Sequence, residues 1–251
     1  MSSDERIWQE WIGWLERAPH VVTPAHATRA YRSVLVGGGH SEEAADHALS
    51  VIWRTMSART DGWRLLFNHL YASPTPGFST VASPLLVATV AARAPGAALD
   101  LASGQGRNAV YLARAGWRVT AVDVSEVGLG IAAERALQTG SKLETIRGSV
   151  ASFDLGSRAW DLIVLTYAPV PLADGNFARR LVRSLRGEGV LLVESFASER
   201  TASGRRPVDI DPADLRTAFA DLTVEHFEDV VGQTEWDPDP TRLVRFVAVR
   251  S

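Results

Sequence analysis

Eleven consecutive residues constrain this chain most: Ala98-Leu99-Asp100-Leu101-Ala102-Ser103-Gly104-Gln105-Gly106-Arg107-Asn108. A short apolar run ends in an acid, small residues turn the chain, and a helix-compatible segment follows. Gly104 and Gly106 carry no Cβ, so the turn's backbone N–H groups are open to close approach by a ligand. Asp100 puts a carboxylate at the mouth of that turn. About twenty residues further on, Trp117-Arg118-Val119-Thr120-Ala121-Val122-Asp123 supplies a second strand that also ends in an acid. Two carboxylates bracketing a small-residue turn suit a nucleoside with a cationic tail.

From Ala97 onward, short apolar runs alternate with helix-length segments. Strands are expected over 97–101, 118–122, 143–147, 160–166, 189–195, 222–230 and 242–249, and helices over 106–115, 126–138, 174–186 and 211–219. Residues 148–159 look irregular. This alternation predicts a Rossmann-like α/β fold with a mostly parallel seven-stranded sheet covered by helices on both faces. The last two strands are joined by a short loop and should pair antiparallel at the sheet edge.

Residues 1–95 differ in character, with helical periodicity and no convincing strand. Ile7, Trp8, Trp11, Ile12 and Leu15 make one apolar helix face. A second helix follows Ser41, a plausible N-cap, and a third spans Trp63 to Tyr71. Ser83-Pro84 fits the cap and first position of a helix running to about Ala94. The chain therefore divides into an α-helical N-terminal lid, 1–95, and a nucleoside-binding domain, 96–251. The three tryptophans at 8, 11 and 14 suit either the helix's own core or a partner subunit, so oligomeric state is left open.

A net charge of −3 argues against a protein that grips nucleic-acid backbone. The chain has no cysteine, which excludes disulfides and thiolate metal sites, and no metal centre is expected. Met1-Ser2-Ser3-Asp4-Glu5-Arg6 lacks a signal-like apolar core, and no apolar run is long enough to span a membrane. The expected location is the cytoplasm, with neither membrane nor nucleic acid as partner.

Gly104 to Ala109 also satisfies the dinucleotide pattern G-x-G-x-x-A. Two features oppose an NAD(P)-binding oxidoreductase. Asp100 would repel a pyrophosphate but attract an ammonium. The residues after the motif are used up in completing one sheet, leaving no substrate domain.

Four segments together resemble the class I S-adenosylmethionine-dependent methyltransferases. Ala98–Asn108 is similar to that family's first motif and Val119–Ser125 to its second acidic position. Trp160–Tyr167 resembles its fourth-strand motif, and Leu185–Glu194 its turn and fifth strand. The wording G-Q-G-R-N, then Y-L-A, then G-W-x-V-T is similar to bacterial small-molecule members related to tellurite-resistance and quinone methyltransferases. The resemblance implies S-adenosylmethionine as cofactor and assigns roles. Asp100 and the backbone of Ala102, Ser103, Gly104 and Gly106 would hold the methionine moiety, with Asn108 at the helix start nearby. Asp123 would accept both ribose hydroxyls, although it also suits a cap of the following helix. Val124 and Ser125 would line the adenine and ribose edge. Ser149 and Val150 stand where family members often place an acid against the adenine amino group; here that contact falls to backbone or to Asp154 reaching back. Thr166 and Tyr167 would lie under the methyl donor. The family's usual glycine is Ala102 here and its common cysteine is Ser103. Alanine is accommodated if its φ is negative.

Transfer of a sulfonium methyl is an in-line displacement whose activation the cofactor already carries, so the protein mainly aligns the acceptor and excludes water. A poor nucleophile also needs a base. Candidates are Glu194, Tyr167 and His69. Glu194 reads equally as a carboxylate fixing a loop, and His69 as an interface histidine. Tyr71 is the first choice for closing over the methionine end. The loop Gln233–Pro240, with Trp236 and Asp237, should lie on the same side. The expectation is methylation of a small molecule on O, N, C or S. Alternatives are an RNA or protein methyltransferase, or a non-catalytic cofactor-binding sensor or regulatory subunit.

Overall fold

The computed structural model describes residues 1–18, 21, 23–59, 61–74, 77–172, 175–198, 208–234 and 240–251. Its contacts divide the chain into two units, one of residues 1–78 with 124–127, the other of 79–123 with 128–251. Trp236 and Asp237 lie outside the described residues.

The first unit is helical: α1 (Ser3–Leu15), α2 (Pro24–Gly37), α3 (Glu42–Ala58) and α4 (Gly62–Ala72). Three of its helices start on hydroxyl caps. Ser2, Thr23 and Ser41 accept from the N–H groups of Glu5, His26 and Ala44, at 3.2, 3.1 and 3.2 Å. The Ser41 cap was expected. Helix α2 was not assigned from sequence, yet its Thr-Pro start is a standard signal. Trp8, Trp11 and Leu15 on α1 are buried against Tyr31 of α2, Ile52 and Met56 of α3, and Leu66 and Leu70 of α4. Trp11 stacks on Trp14 and meets Tyr31 edge-on, both with centroids 5.1 Å apart. The tryptophan stripe thus serves the unit's own core.

The second unit opens with α5 (Pro84–Val90) and then alternates: β1 (Ala97–Leu101), α6 (Arg107–Arg114), β2 (Arg118–Asp123), α7 (Glu126–Gln138, mostly in this unit), β3 (Leu143–Arg147), β4 (Trp160–Thr166), α8 (Gly175–Ser184), β5 (Leu185–Phe196), α9 (Pro212–Ala218), β6 (Thr223–Gly232) and β7 (Thr241–Val249). Helix α5 stops at Val90, short of the expected Ala94. The strands form one sheet in the order β3-β2-β1-β4-β5-β7-β6. Pairing is parallel from β3 to β5, while β7 runs antiparallel to both β5 and β6. The expected antiparallel pair at the edge is present, with the last strand slotted inside the sixth.

Period-two alternation along the strands builds two cores. Leu99, Leu101, Ile163, Leu165, Leu191 and Val193 pack with Phe177, Leu181, Leu215 and Phe219 from α8 and α9. The alternate residues Ala98, Leu162, Val164, Val190 and Leu192 pack with Leu86, Val90, Leu112 and Leu129 from α5, α6 and α7. Burial on both faces explains why these strands read as unbroken apolar runs. Asp161, read as structural, ties the base of the sheet together: its Oδ2 accepts from the Ala97 N–H at 2.7 Å and from Arg186 at 2.6 Å.

Strand order reverses between β1 and β4, and in such sheets ligands bind outside the carboxyl ends of the strands at that point. Both the residues after Leu101 and those after Thr166 sit there.

Candidate active site

Asp100 is the electrostatic anomaly of the second unit. It lies on the face shared by Ala98, Leu162 and Val164, and its register neighbours are Ala121 on β2 and Val164 on β4. Its side chain is buried, and neither oxygen finds a hydrogen-bond partner of good geometry among the described residues. Burial pushes its carboxyl up to about 7. The Arg107 guanidinium and the Ala109 N–H pull the other way, and the Asp123 charge adds to the rise. A buried, unsatisfied acid is costly unless a charged partner completes it. A ligand ammonium is such a partner.

The turn after Asp100 is wound tightly. Ala102, Gly104 and Gly106 have φ of 60, 53 and 78°, all left-handed. The expected negative φ at Ala102 is therefore incorrect. Ser103 N–H donates to Val122 O at 3.0 Å and Gly106 N–H to Ser103 O at 2.9 Å, a winding that requires Ala102 to cross to positive φ. Left-handed backbone costs alanine about 1–2 kcal/mol. Gly106 is obligatory on two counts: its φ, and a Cβ there would stand 2.6 Å from that of Ala132 on α7. Ser103 Oγ is buried without a partner among the described residues.

Asp123 at the end of β2 is also buried, and its Oδ2 accepts from the Gly104 N–H at 2.8 Å. That bond fixes the carboxylate beside the turn. Thr166 ends β4, and its hydroxyl accepts from Asn108 Nδ2 at 3.1 Å. Asn108 Oδ1 in turn accepts from the Ser83 N–H at 3.0 Å. Tyr167 has φ 53°, held by its N–H on Glu194 O at 2.8 Å. Its ring meets Phe196 edge-on and lies 5.9 Å from the Arg107 guanidinium. Strained backbone at a strand end is a common mark of a ligand site. Ser149 O accepts from the Ser152 and Phe153 N–H groups and Val150 is buried. Asp154 is exposed and caps its own turn through Gly156 N–H at 3.0 Å.

Glu194, a candidate base, has both oxygens engaged. Oε2 accepts from Ser83 Oγ at 2.6 Å and Oε1 from Arg245 Nε at 3.0 Å. Ser83 does not cap α5 with its side chain as expected, because Glu194 takes its hydroxyl. The other expected residues belong to the helical unit. His69 Nε2 lies 3.1 Å from Ala18 O, and the Tyr71 ring packs with Phe67 and Phe78 at 5.8 and 5.1 Å. Val124 and Ser125 also cluster there, where Ser125 Oγ donates to Asn68 Oδ1 at 2.7 Å. Sequence reasoning passed over Ser83, Gln105, Arg135 and Arg245. The Ser-Pro signal at 83–84 marked the first, but nothing local marked its partners.

A strand-end acid, a left-handed turn wound on the next helix, and a second strand-end acid bonded to that turn make the arrangement expected for the nucleoside site of a class I methyltransferase. Residues 98–189 match the family model described as a methyltransferase domain. No curated protein matches the chain. Among solved structures, TehB from Haemophilus influenzae is similar at TM-score 0.62 and 17% identity, covering 69% of this chain and 64% of that one. The [4+2]-cyclase SpnF is similar at TM-score 0.56 and 16% identity, over 66% and 78%. Magnesium protoporphyrin IX methyltransferase from Synechocystis, with bound S-adenosylhomocysteine, is similar at TM-score 0.52 and 19% identity, over 66% and 80%. These likenesses are of fold. The chain carries an S-adenosylmethionine-dependent methyltransferase domain, and the residues present fit that cofactor. The Asp100 carboxylate, with no well-formed hydrogen bond among the described residues, suits its ammonium, and the Cβ-free Gly106 lets the turn beside it pack on Ala132 of α7. No helix among the described residues is long and apolar enough to cross a membrane.

Proposed function

We propose that this protein transfers the methyl group of S-adenosylmethionine to a small-molecule acceptor. The observation that carries the reading is Asp100, an acid buried at the carboxyl edge of a switch point with no well-formed hydrogen bond among the described residues, beside a turn of left-handed backbone. A formal net charge of −3 supports a small acceptor over RNA.

When bound, the cofactor would supply an electrophilic methyl on a sulfonium for transfer to the acceptor. The protein's residues bind and orient. Asp100 neutralises the methionine ammonium in an apolar pocket, where the attraction is poorly screened. The turn from Ala102 to Gly106 packs against the methionine chain. Asp123, bonded to Gly104 N–H through Oδ2, would accept from the ribose hydroxyls. Ser149 and Val150 border the nucleoside. Thr166 and Tyr167 face the methyl.

Glu194 is a poor base in this scheme, because Ser83 and Arg245 occupy both its oxygens. Of the three candidates, Tyr167 is the one at the strand end nearest the switch point. His69, bound to a backbone carbonyl, serves a structural purpose. Acceptors that are nucleophilic without deprotonation fit this arrangement best.

Calorimetric titration of S-adenosylhomocysteine tests the cofactor assignment. The native chain should bind it, and Asp123→Ala should abolish binding while retaining the fold by circular dichroism. Unchanged affinity in Asp123→Ala would sink the role of that residue. Turnover across phenol, amine, thiol and carboxylate panels, with bulk RNA as a further arm, then selects the acceptor class.

A further inference from the structure

A row of polar side chains crosses four strands at one level. Thr166 on β4 is in register with Glu194 on β5, Glu194 with Arg245 on β7, and Arg245 with Glu228 on β6. Arg245 bridges the two acids, at 3.0 Å to Glu194 and 2.9 Å to Glu228. Glu194 is 4% exposed, so its position is set by these partners and not by solvent. From the row, Glu194 reaches Ser83 Oγ at 2.6 Å, Ser83 N–H reaches Asn108, and Asn108 returns to Thr166.

The stretch that begins at Ser79 and ends at Ser83 is pinned at its other end as well. Gln105 Nε2 donates to Ser79 O at 3.1 Å. Arg135 on α7 donates to Thr80 O at 3.0 Å and to Gln105 O at 3.1 Å. Residues 79–83 therefore run alongside the turn and are stitched to residues within it (Gln105) and just beyond it (Asn108).

That turn holds three left-handed residues in five, one of them alanine. Such backbone persists only where its surroundings over-determine it. We propose that residues 79–83 form a strap that holds the cofactor turn in its binding conformation, with Glu194 and Arg135 as its positioning residues. Glu194 acts through Ser83, without touching the reacting atoms. Its carboxylate is held in place by Arg245, so the sheet's antiparallel edge, which lies away from the cofactor, contributes to the shape of the cofactor site.

The inference rests on the proposed binding of S-adenosylmethionine, and the following measurements separate the two. Ser83→Ala, Ser83→Thr, Glu194→Gln and Arg135→Gln are compared with the native chain by S-adenosylhomocysteine calorimetry and by amide hydrogen exchange. Ser83→Ala, Glu194→Gln and Arg135→Gln should each weaken binding about tenfold, with faster exchange both at 79–84 and at 103–108. Ser83→Thr retains the hydroxyl and should stay within about twofold of the native affinity. Ser83→Ala with Glu194→Gln should be no weaker than the worse single variant, since both break one link. If Glu194→Gln fails to fold with Arg245 left only Glu228 as an ionic partner, Ser83→Ala and Arg135→Gln still decide the matter. Native affinity in those two variants, or faster exchange confined to 79–84 with the turn unmoved, would overturn the strap. If the native chain itself binds no S-adenosylhomocysteine, the cofactor reading fails, and exchange at 103–108 in Ser83→Ala alone decides whether the strap holds the turn.

Discussion

Replacing Asp100 by asparagine should make the ligand-free protein more stable at alkaline pH, and by an amount that grows with pH in one window. Asn keeps the shape and removes the charge. In the fold the carboxyl sits between Ala121 and Val164, and burial raises it from 3.8 to about 7. The folded state therefore binds the proton more tightly than the unfolded chain does. As pH rises from about 4 to about 7, folding must either retain a proton that the unfolded chain releases or bury a charge, so stability falls across that window and levels off above it. The shift corresponds to ~4 kcal/mol at the alkaline limit, with relaxation and water entry reducing what is measured. The buried Asn amide costs about 1–3 kcal/mol, but that term is constant with pH. The informative quantity is thus the slope of the difference between the two proteins, measured by urea unfolding at intervals between pH 4.5 and 8. The native chain should lose about 2–3 kcal/mol relative to Asp100→Asn over that range. S-adenosylhomocysteine should remove much of the loss in the native chain alone, because its ammonium stabilises the carboxylate. A difference between the two proteins that stays flat with pH would refute the account of Asp100 as an unsatisfied buried acid.

Ala102→Gly should stabilise the chain by about 1 kcal/mol, since φ of 60° strains alanine and not glycine; urea unfolding would show it, and a lower midpoint would contradict the strain. Gly106→Ala should destabilise by roughly 2–3 kcal/mol and weaken S-adenosylhomocysteine binding, because its Cβ meets Ala132 at 2.6 Å on a φ of 78°. In the helical unit, Trp11→Ala should cost about 3–5 kcal/mol by loss of a fully buried ring between Trp14 and Tyr31, read from the near-ultraviolet dichroism and unfolding of residues 1–78 within the whole chain.

The sheet was legible because its strands carry their own evidence. Leu99, Ile163 and Leu191 alternate with Ala98, Leu162 and Val190 between two apolar layers, so these central strands read as nearly continuous apolar runs. The cofactor turn was legible for a similar reason: the acid, the glycines and the helix start are contiguous. Helix α2 was passed over although Thr23-Pro24 marks its start, because its apolar stripe is weak and much of its surface is exposed. Glu194 was read as a base or a loop-fixing carboxylate from its strand-end position alone. Its engagement with Ser83, 111 residues earlier, is what turns it into a positioning group.

By itself, the sequence determined the order of strands and helices from Ala97 onward, the position of the glycine-rich turn and the two acids that bracket it. These follow from local spacing, because side-chain period and backbone freedom act over a few residues. Only the tertiary structure decided that Asp100 is buried with no well-formed hydrogen bond among the described residues, that Ala102 crosses to positive φ, and that Glu194 is tied to Ser83 and Arg245. Those outcomes depend on which strands become neighbours. Placing β7 beside β5 sets Arg245 against Glu194, and placing β1 between β2 and β4 seals Asp100 between Ala121 and Val164.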